Sequence, residues 1–398
     1  MKYLILLLLF VIPFQSCTTT RKMAYNQQTS GHYRLYTFPS PQAPYTYDTQ
    51  RFVRLAFISS NDFEGMIEPT TFPIKNRFKE ARAIKVGGVA AMRSYLDILK
   101  DEYKNSMVYV DAGSFLNKTE NHKRTIFLYN YLNVDVTSLG VNEFSLESKT
   151  GTSLKDYFAS LTSKANFKIV NSNLFDLRTA KQINWKNINE YTIKKVNGIK
   201  VGFLGLLTTE LAQKIPDGKI NGMYIQNPPK SIITKANLLR RKGAQVVVLM
   251  ANKGLDCSSQ LALEEKIPAA KVNFYPSRSK HCDTYNSELY KTLKQIPPNT
   301  LDLVITSGEK SKVANFINGY PVIQNPGEGN YLSRAELYYD LKHNTIDQAK
   351  TMIHQPVQLC HNFLKDSQDC YTGEDYDNQE VIPATFLGKD VLIKEIPN

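Results

Sequence analysis

The 398 residues are 42% hydrophobic and 22% charged, which excludes a low-complexity disordered chain and supplies a core for one large domain or two ordinary ones. The formal net charge of +12 is spread along the chain rather than gathered into Lys/Arg blocks. It therefore reads as a solvated basic surface, and no specific nucleic-acid partner is expected.

At the N-terminus Lys2 precedes the apolar run YLILLLLFVIPF, then QSC and the polar TTTRK. The run is short for a finished membrane helix and reads as the apolar core of a secretory signal. Its ending resembles a bacterial lipoprotein signal over residues 1–16, with Ser16 before Cys17 as the lipidation candidate. Phe14 departs from that pattern, which usually has Leu there, and an ordinary signal or a retained anchor remains the alternative. Residues 17–50, rich in Thr, Ser, Pro, Tyr and Gln, read as a flexible tether. The expectation is a lipid-anchored protein of the bacterial cell envelope, facing the periplasm or the exterior. Its expected partners are a membrane, through the lipid, and an unknown protein or envelope component. In an oxidising compartment Cys257, Cys282, Cys360 and Cys370 are disulfide candidates. Three connectivities are open, and local pairing, 257 with 282 and 360 with 370, is the simplest.

Order begins at RFVRLAFISS, a strand apolar on both faces, which ends in the acidic turn SSNDFEGMIEP. After Gly87 and Gly88, Val89, Met92, Leu96 and Leu99 fall at helical spacing. SMVYVDAGS predicts a buried strand, TIFLYNYLNVD a helix, VTSLG a strand and FKIVNSNLF another strand. YTIKKV and IKVGFLGLL flank Asn197-Gly198, a tight-turn pair, and predict a hairpin. PPKSIITKANLLRRKG predicts a helix, AQVVVLMANKG and LDLVITSG buried strands, and NGYPVIQNPGEGNYLSRAELYYD strands between Gly/Pro turns. Alternation of helices with doubly apolar strands predicts an α/β sandwich.

In such folds ligands bind outside the carboxyl ends of the strands. The turns there read SNDFEG, DAGS, LGVNEF, MANKG and TSGEK. Their order and neighbours, with VGGVAAM, VNGIKVGFLGLLTTE and NGYPVIQNPGEGNYLSRAEL, resemble the metallophosphoesterase domain of the 5′-nucleotidase family over roughly residues 51–340. The resemblance implies a four-layer α/β-β/α sandwich as the single main domain, assigned to 51–345, with 346–398 as a C-terminal extension.

It also implies a two-metal site, which these residues match poorly. Asp62, Asp111 and Glu143 fall on acidic positions of the family's turns. Glu64 and Asn252 stand on histidine ligand positions, Ser114 on the bridging carboxylate, Val141 on an Asn ligand and Asn142 on the catalytic His. Gly308 and Lys310 replace the last two histidines, and Lys310 brings an ammonium to a dication's position. None of the six histidines lies in these turns, and His122, a few residues beyond DAGS, reads as a surface residue. Asp62, Glu143 and Lys310 are expected to form an ion-pair network instead. The leading expectation is a catalytically inactive binding or structural module without a cofactor. One alternative is a weak phosphoester hydrolase holding one Mg, Mn or Ca ion through Asp62, Glu64, Asn142 and Glu143. The other is a polyanion- or glycan-binding envelope protein.

Overall fold

Strand β1 (Phe52–Ser60) divides its apolar side chains between two cores: Leu55 and Phe57 face one, Ala56 and Ile58 the other. The computed structural model describes residues 47–75, 81–146, 152–213, 215, 220, 222–256, 286–365, 370 and 380–397. These residues fall in one unit, Leu35–Asn398. The signal segment 1–16, Cys17, the tether up to residue 46, Cys257 and Cys282 lie outside the described residues.

One sheet runs in the spatial order β17 (Thr345–Ile346), β16 (Tyr331–Asp340), β1, β4 (Met107–Asp111), β5 (Val136–Ser138), β6 (Lys168–Val170) and β8 (Ile188–Asn189). β18 (Met352–Gln358) adds to it by pairing with β16. The second sheet runs β14 (Val313–Ile317), β15 (Tyr320–Gln324), β13 (Leu303–Thr306), β12 (Val246–Asn252), β10 (Ile199–Leu207) and β9 (Thr192–Val196). β1, β4, β5 and β6 are parallel neighbours, and so are β10, β12, β13 and β15. Four small two-stranded antiparallel sheets pair β2 (Thr70–Lys75) with β3 (Ala81–Val86), β7 (Leu174–Asp176) with β11 (Met223–Ile225), β19 (Asn362–Leu364) with β20 (Val381–Pro383), and β21 (Thr385–Phe386) with β22 (Lys389–Asp390).

The sheets meet through a core of Leu55, Phe57, Val108 and Val110 against Val201, Phe203, Val248 and Ile305. The outer face of the first sheet is covered by α1 (Gly88–Tyr103), α2 (His122–Tyr131), the single turn α3 (Val141–Phe144) and α4 (Leu154–Leu161). Past the short α5 (Thr209–Ala212), α6 (Pro228–Arg241) and α7 (Glu288–Gln295) cover the second through Ile232, Leu239, Leu289 and Leu293. This is the four-layer α/β-β/α sandwich expected from the sequence.

Local signals act where they were read. Val89, Met92, Leu96 and Leu99 are all buried on α1, each worth roughly 1.5–3 kcal/mol relative to exposure. Gly87 precedes that helix at φ 73°, and a Cβ there would sit 2.1 Å from Asn330 Oδ1, so only glycine fits. Asn227 caps α6 by accepting the Lys230 N–H at 3.2 Å, with Pro228 starting the helix. Asn197 (φ 45°) and Gly198 (φ 88°) turn the β9–β10 hairpin.

FKIVNSNLF, by contrast, is two strands, β6 and β7, in different sheets. Asn171 breaks it, because its Oδ1 accepts the N–H groups of Asn173 (3.3 Å) and Leu174 (2.8 Å) and turns the backbone locally. After residue 345, β18 joins the first sheet, and Leu359, Cys360, Phe363 and Leu364 are buried in the core beneath α1. Cys360 and Cys370 form a disulfide with Cα atoms 5.6 Å apart, the local pairing expected for these two.

Candidate functional site

The parallel strands of both sheets end on the same side of the molecule, so their carboxyl-end turns face one another across the gap between sheets. Three side-chain bridges cross that gap. Asp62 Oδ2, in the turn after β1, accepts the N–H of Gly308 after β13 at 2.6 Å. Asn252, the last residue of β12, accepts the Val141 N–H through Oδ1 at 3.3 Å, and its Nδ2 donates to Ser114 Oγ at 3.4 Å and to Ser307 Oγ at 2.5 Å. Asn61 donates to the carbonyl of Asn325 at 2.9 Å, while Asn325 Nδ2 reaches the Ser59 carbonyl at 3.2 Å.

The carboxylates are turned towards protein donors. Asp111 is fully buried and accepts from Ser60 Oγ (2.7 Å), the Gly113 N–H (2.9 Å), Tyr129 OH (3.0 Å) and Thr137 Oγ1 (3.5 Å). Glu143, 1% exposed, reaches back from α3 to accept the N–H groups of Gly140 (2.6 Å), Ser114 (3.1 Å) and Leu116 (3.0 Å). It thus caps its own helix turn and fixes the loop after β4. Burial raises the pKa of Asp62 to about 7, of Glu143 to about 7 and of Asp111 to about 6, and the hydrogen bonds only partly offset it.

Of the residues singled out in the sequence, the fold draws Asp62, Ser114, Asn142, Glu143 and Asn252 into this polar layer. Asn142 spends its amide N–H on the Leu116 carbonyl at 3.0 Å. Two residues stay at its exposed rim, near enough to Asp62 to act on it electrostatically. Glu64 is exposed at φ 53°, held by its backbone, whose N–H donates to the Ser114 carbonyl. Lys310 is 79% exposed and pairs with Glu328 at 2.5 Å. The expected ion-pair network of Asp62, Glu143 and Lys310 therefore does not form: Lys310 has a nearer carboxylate and the other two are held by N–H groups. His122 is also not a surface residue. It is 5% exposed, with one ring nitrogen 2.8 Å from Tyr157 OH and the other 2.8 Å from the Asn117 carbonyl. Among the described residues no group of three or more His, Cys, Asp and Glu is arranged to hold a metal ion.

Sequence reasoning missed Asn325, Ser307 and Tyr129. Asn325 had a signal, because an Asn before Pro326 and a Gly-rich turn is a residue suited to hold a loop. Ser307 and Tyr129 had none, since their roles depend on partners far away in the chain.

No family model matches the chain. It is 25% identical over 331 residues to Protein 5NUC of Lutzomyia longipalpis, covering 81% of this chain and 53% of that protein. It is 22% identical over 227 residues to cell wall protein Lmo0130 of Listeria monocytogenes, covering 50% of this chain and 27% of that one. The chain thus spans about half or less of the curated relatives it matches. Among solved structures, a putative 5′-nucleotidase from Staphylococcus aureus superposes with TM-score 0.56 at 17% identity, over 82% of this chain and 57% of that one. The 5′-nucleotidase precursor of Thermus thermophilus gives 0.55 at 17% identity, over 77% and 55%. The calcineurin-like phosphoesterase YfkN of Bacillus subtilis gives 0.53 at 16% identity, over 77% and 91%. The chain carries the fold of the 5′-nucleotidases and calcineurin-like phosphoesterases.

Proposed function

We propose that this phosphoesterase-like fold serves, in an exported and lipid-anchored envelope protein, as a catalytically inactive binding or structural module that needs no cofactor. The observation that carries this reading is the pairing of polar groups at the strand ends. Asp111 and Glu143 have both oxygens committed to protein donors, the Gly308 N–H is aimed at the Asp62 carboxylate, and the Asn252 amide N–H groups at Ser114 and Ser307. A cation needs oxygen or imidazole lone pairs directed at it. Donor N–H groups oppose it, so these residues do not fit a two-metal centre. The N-terminal pattern ending at Cys17 supports export and lipidation, and similarity to a Listeria cell wall protein agrees with an envelope location.

A second reading has one observation in its favour. Asp62 and Asp111 repel one another, as do Asp111 and Glu143, and a single divalent cation would relieve that repulsion. A weak hydrolase on this basis would use Asp62, Glu64, Asn142 and Glu143. The full chain assayed with p-nitrophenyl phosphate and AMP, with each of Mg²⁺, Mn²⁺, Ca²⁺ and Zn²⁺, separates the two. We expect no turnover above buffer. Metal-dependent turnover that is lost in Asp62→Ala would overturn the module reading.

A further inference from the structure

At the opposite end of the first sheet from these turns, a cavity of about 290 Å³ opens between the C-terminal half of α1 and the start of β4. Met107, on its wall, lies four residues before Asp111, about 13 Å along the strand at a normal rise. The cavity's apolar lining residues are Leu96, Met107, Tyr109 and Leu132, with Asn133 beside them. The rim is charged and unbalanced. Arg93, Lys100, Lys104 and Lys194 face it against two carboxylates, Asp97 and Asp135.

The carboxylates are already matched. Arg93 pairs with Asp97 at 2.9 Å, and Lys394 also reaches Asp97. Lys194 pairs with Asp135 at 2.8 Å, and Asp135 also accepts the Tyr109 N–H at 3.1 Å. Lys100, in the last turn of α1, and Lys104, the residue that ends the helix at φ 49°, are left: both line the cavity and neither has a carboxylate partner among the described residues. The helix C-terminus contributes about half a negative charge nearby, less than the two ammonium groups together. The volume lies at the small end of ligand pockets, whose usual makeup is an apolar lining with a few directed polar groups.

We propose that this cavity binds a small organic anion, a phosphate-type group held by Lys100 and Lys104 and an apolar body seated on Leu96, Met107, Tyr109 and Leu132. The plain alternative is a pair of solvated lysines balancing a helix end, which would give no saturable binding. This proposal is independent of the reading of the strand-end turns, whose residues it does not use.

The test is titration calorimetry of the full chain in mild detergent with phenyl phosphate and with inorganic phosphate, at about 0.15 M salt so that long-range attraction is screened. The expected result is saturable one-to-one binding of phenyl phosphate, about tenfold tighter than inorganic phosphate and weakened at least about tenfold in Lys100→Gln/Lys104→Gln. The control Lys155→Gln/Lys164→Gln, two exposed lysines on and just after α4, should bind as the parent does. Equal binding of the two anions, equal weakening by both variants, or no saturable binding would each overturn the proposal. Binding to vesicles of anionic phospholipid without saturable binding of phenyl phosphate would overturn it too, and would assign the lysines to a lipid surface.

Discussion

Asp62 and Gly308, 246 residues apart, are joined by a 2.6 Å hydrogen bond from the Gly308 N–H to the Asp62 carboxylate, which fastens the end of one sheet to the end of the other. If Asp62 works as an acceptor rather than a metal ligand, its charge is dispensable and its oxygen is not. Asp62→Asn should leave stability within about 0.5 kcal/mol of the parent, while Asp62→Ala should lose about 1 kcal/mol, the net worth of the bond, because the exposed Gly308 N–H then turns to water. Urea unfolding of both variants checks this, and equal loss in both would contradict it.

Ser114 sits 5% exposed at the loop that Glu143 holds, beside Asn252. Ser114→Asp would add a carboxylate next to two buried ones. We expect destabilisation of about 2 kcal/mol or more from burying an unpaired charge, with no recovery when Mn²⁺ is added. Thermal unfolding with and without the metal decides it. Recovery by the metal would mean that the turns retain a working cation site.

The Cys360–Cys370 disulfide closes a loop of 10 residues beside the carbonyl of Cys360, which accepts Tyr95 OH at 3.1 Å. Cys360→Ser/Cys370→Ser should cost about 2–3 kcal/mol, as loop-closure entropy predicts for so short a loop. The change would be read from the denaturation midpoint under non-reducing conditions. An unchanged midpoint would show the tail to be held by its apolar contacts alone.

His354 on β18 lies between Glu336 and Arg334 of β16: Nε2 is 3.0 Å from Glu336 Oε1, and Arg334 Nη2 is 2.9 Å from Nδ1. Glu336 also accepts Tyr103 OH from α1 at 2.6 Å and faces Arg54 of β1 at 4.0 Å. Burial, with Arg334 alongside, lowers the pKa of His354 below 6.5, and its neighbours, His354 foremost, outweigh burial to bring Glu336 down to about 2. Both values are depressed on folding, so this stability is present at higher pH and drains away on acidification. The loss begins below about 6.5 for His354 and below about 4.5 for Glu336. The raised carboxylates at the strand ends slope the other way, so the informative quantity is a difference between proteins. Between pH 7.5 and pH 5.5 the Tm of the parent should fall more than that of His354→Gln. Parallel behaviour would contradict the buried, neutral histidine.

The scaffold was legible because it rests on local and periodic signals. Apolar spacing placed α1, the Asn-Gly pair placed the β9–β10 hairpin, and doubly apolar runs placed β4, β12 and β13. The turns were found as well, but not their internal wiring. His122 looked like a surface histidine because nothing near it in sequence announces Tyr157, 35 residues on. Lys310 looked free to meet Asp62 because the backbone course that brings Glu328 to it is set by β14–β16 packing. The break at Asn171 was visible in its side chain, yet the flanking apolar residues masked it.

Metal content is the most direct measurement of whether the strand-end layer is a closed hydrogen-bonded network. The full chain would be incubated with Mn²⁺, Zn²⁺, Mg²⁺ and Ca²⁺, desalted and examined by mass spectrometry, with Tm recorded in parallel. No stoichiometric metal and no shift in Tm is the expected result. One metal per chain, lost in Asp62→Ala, would contradict it and make the strand ends a cation site.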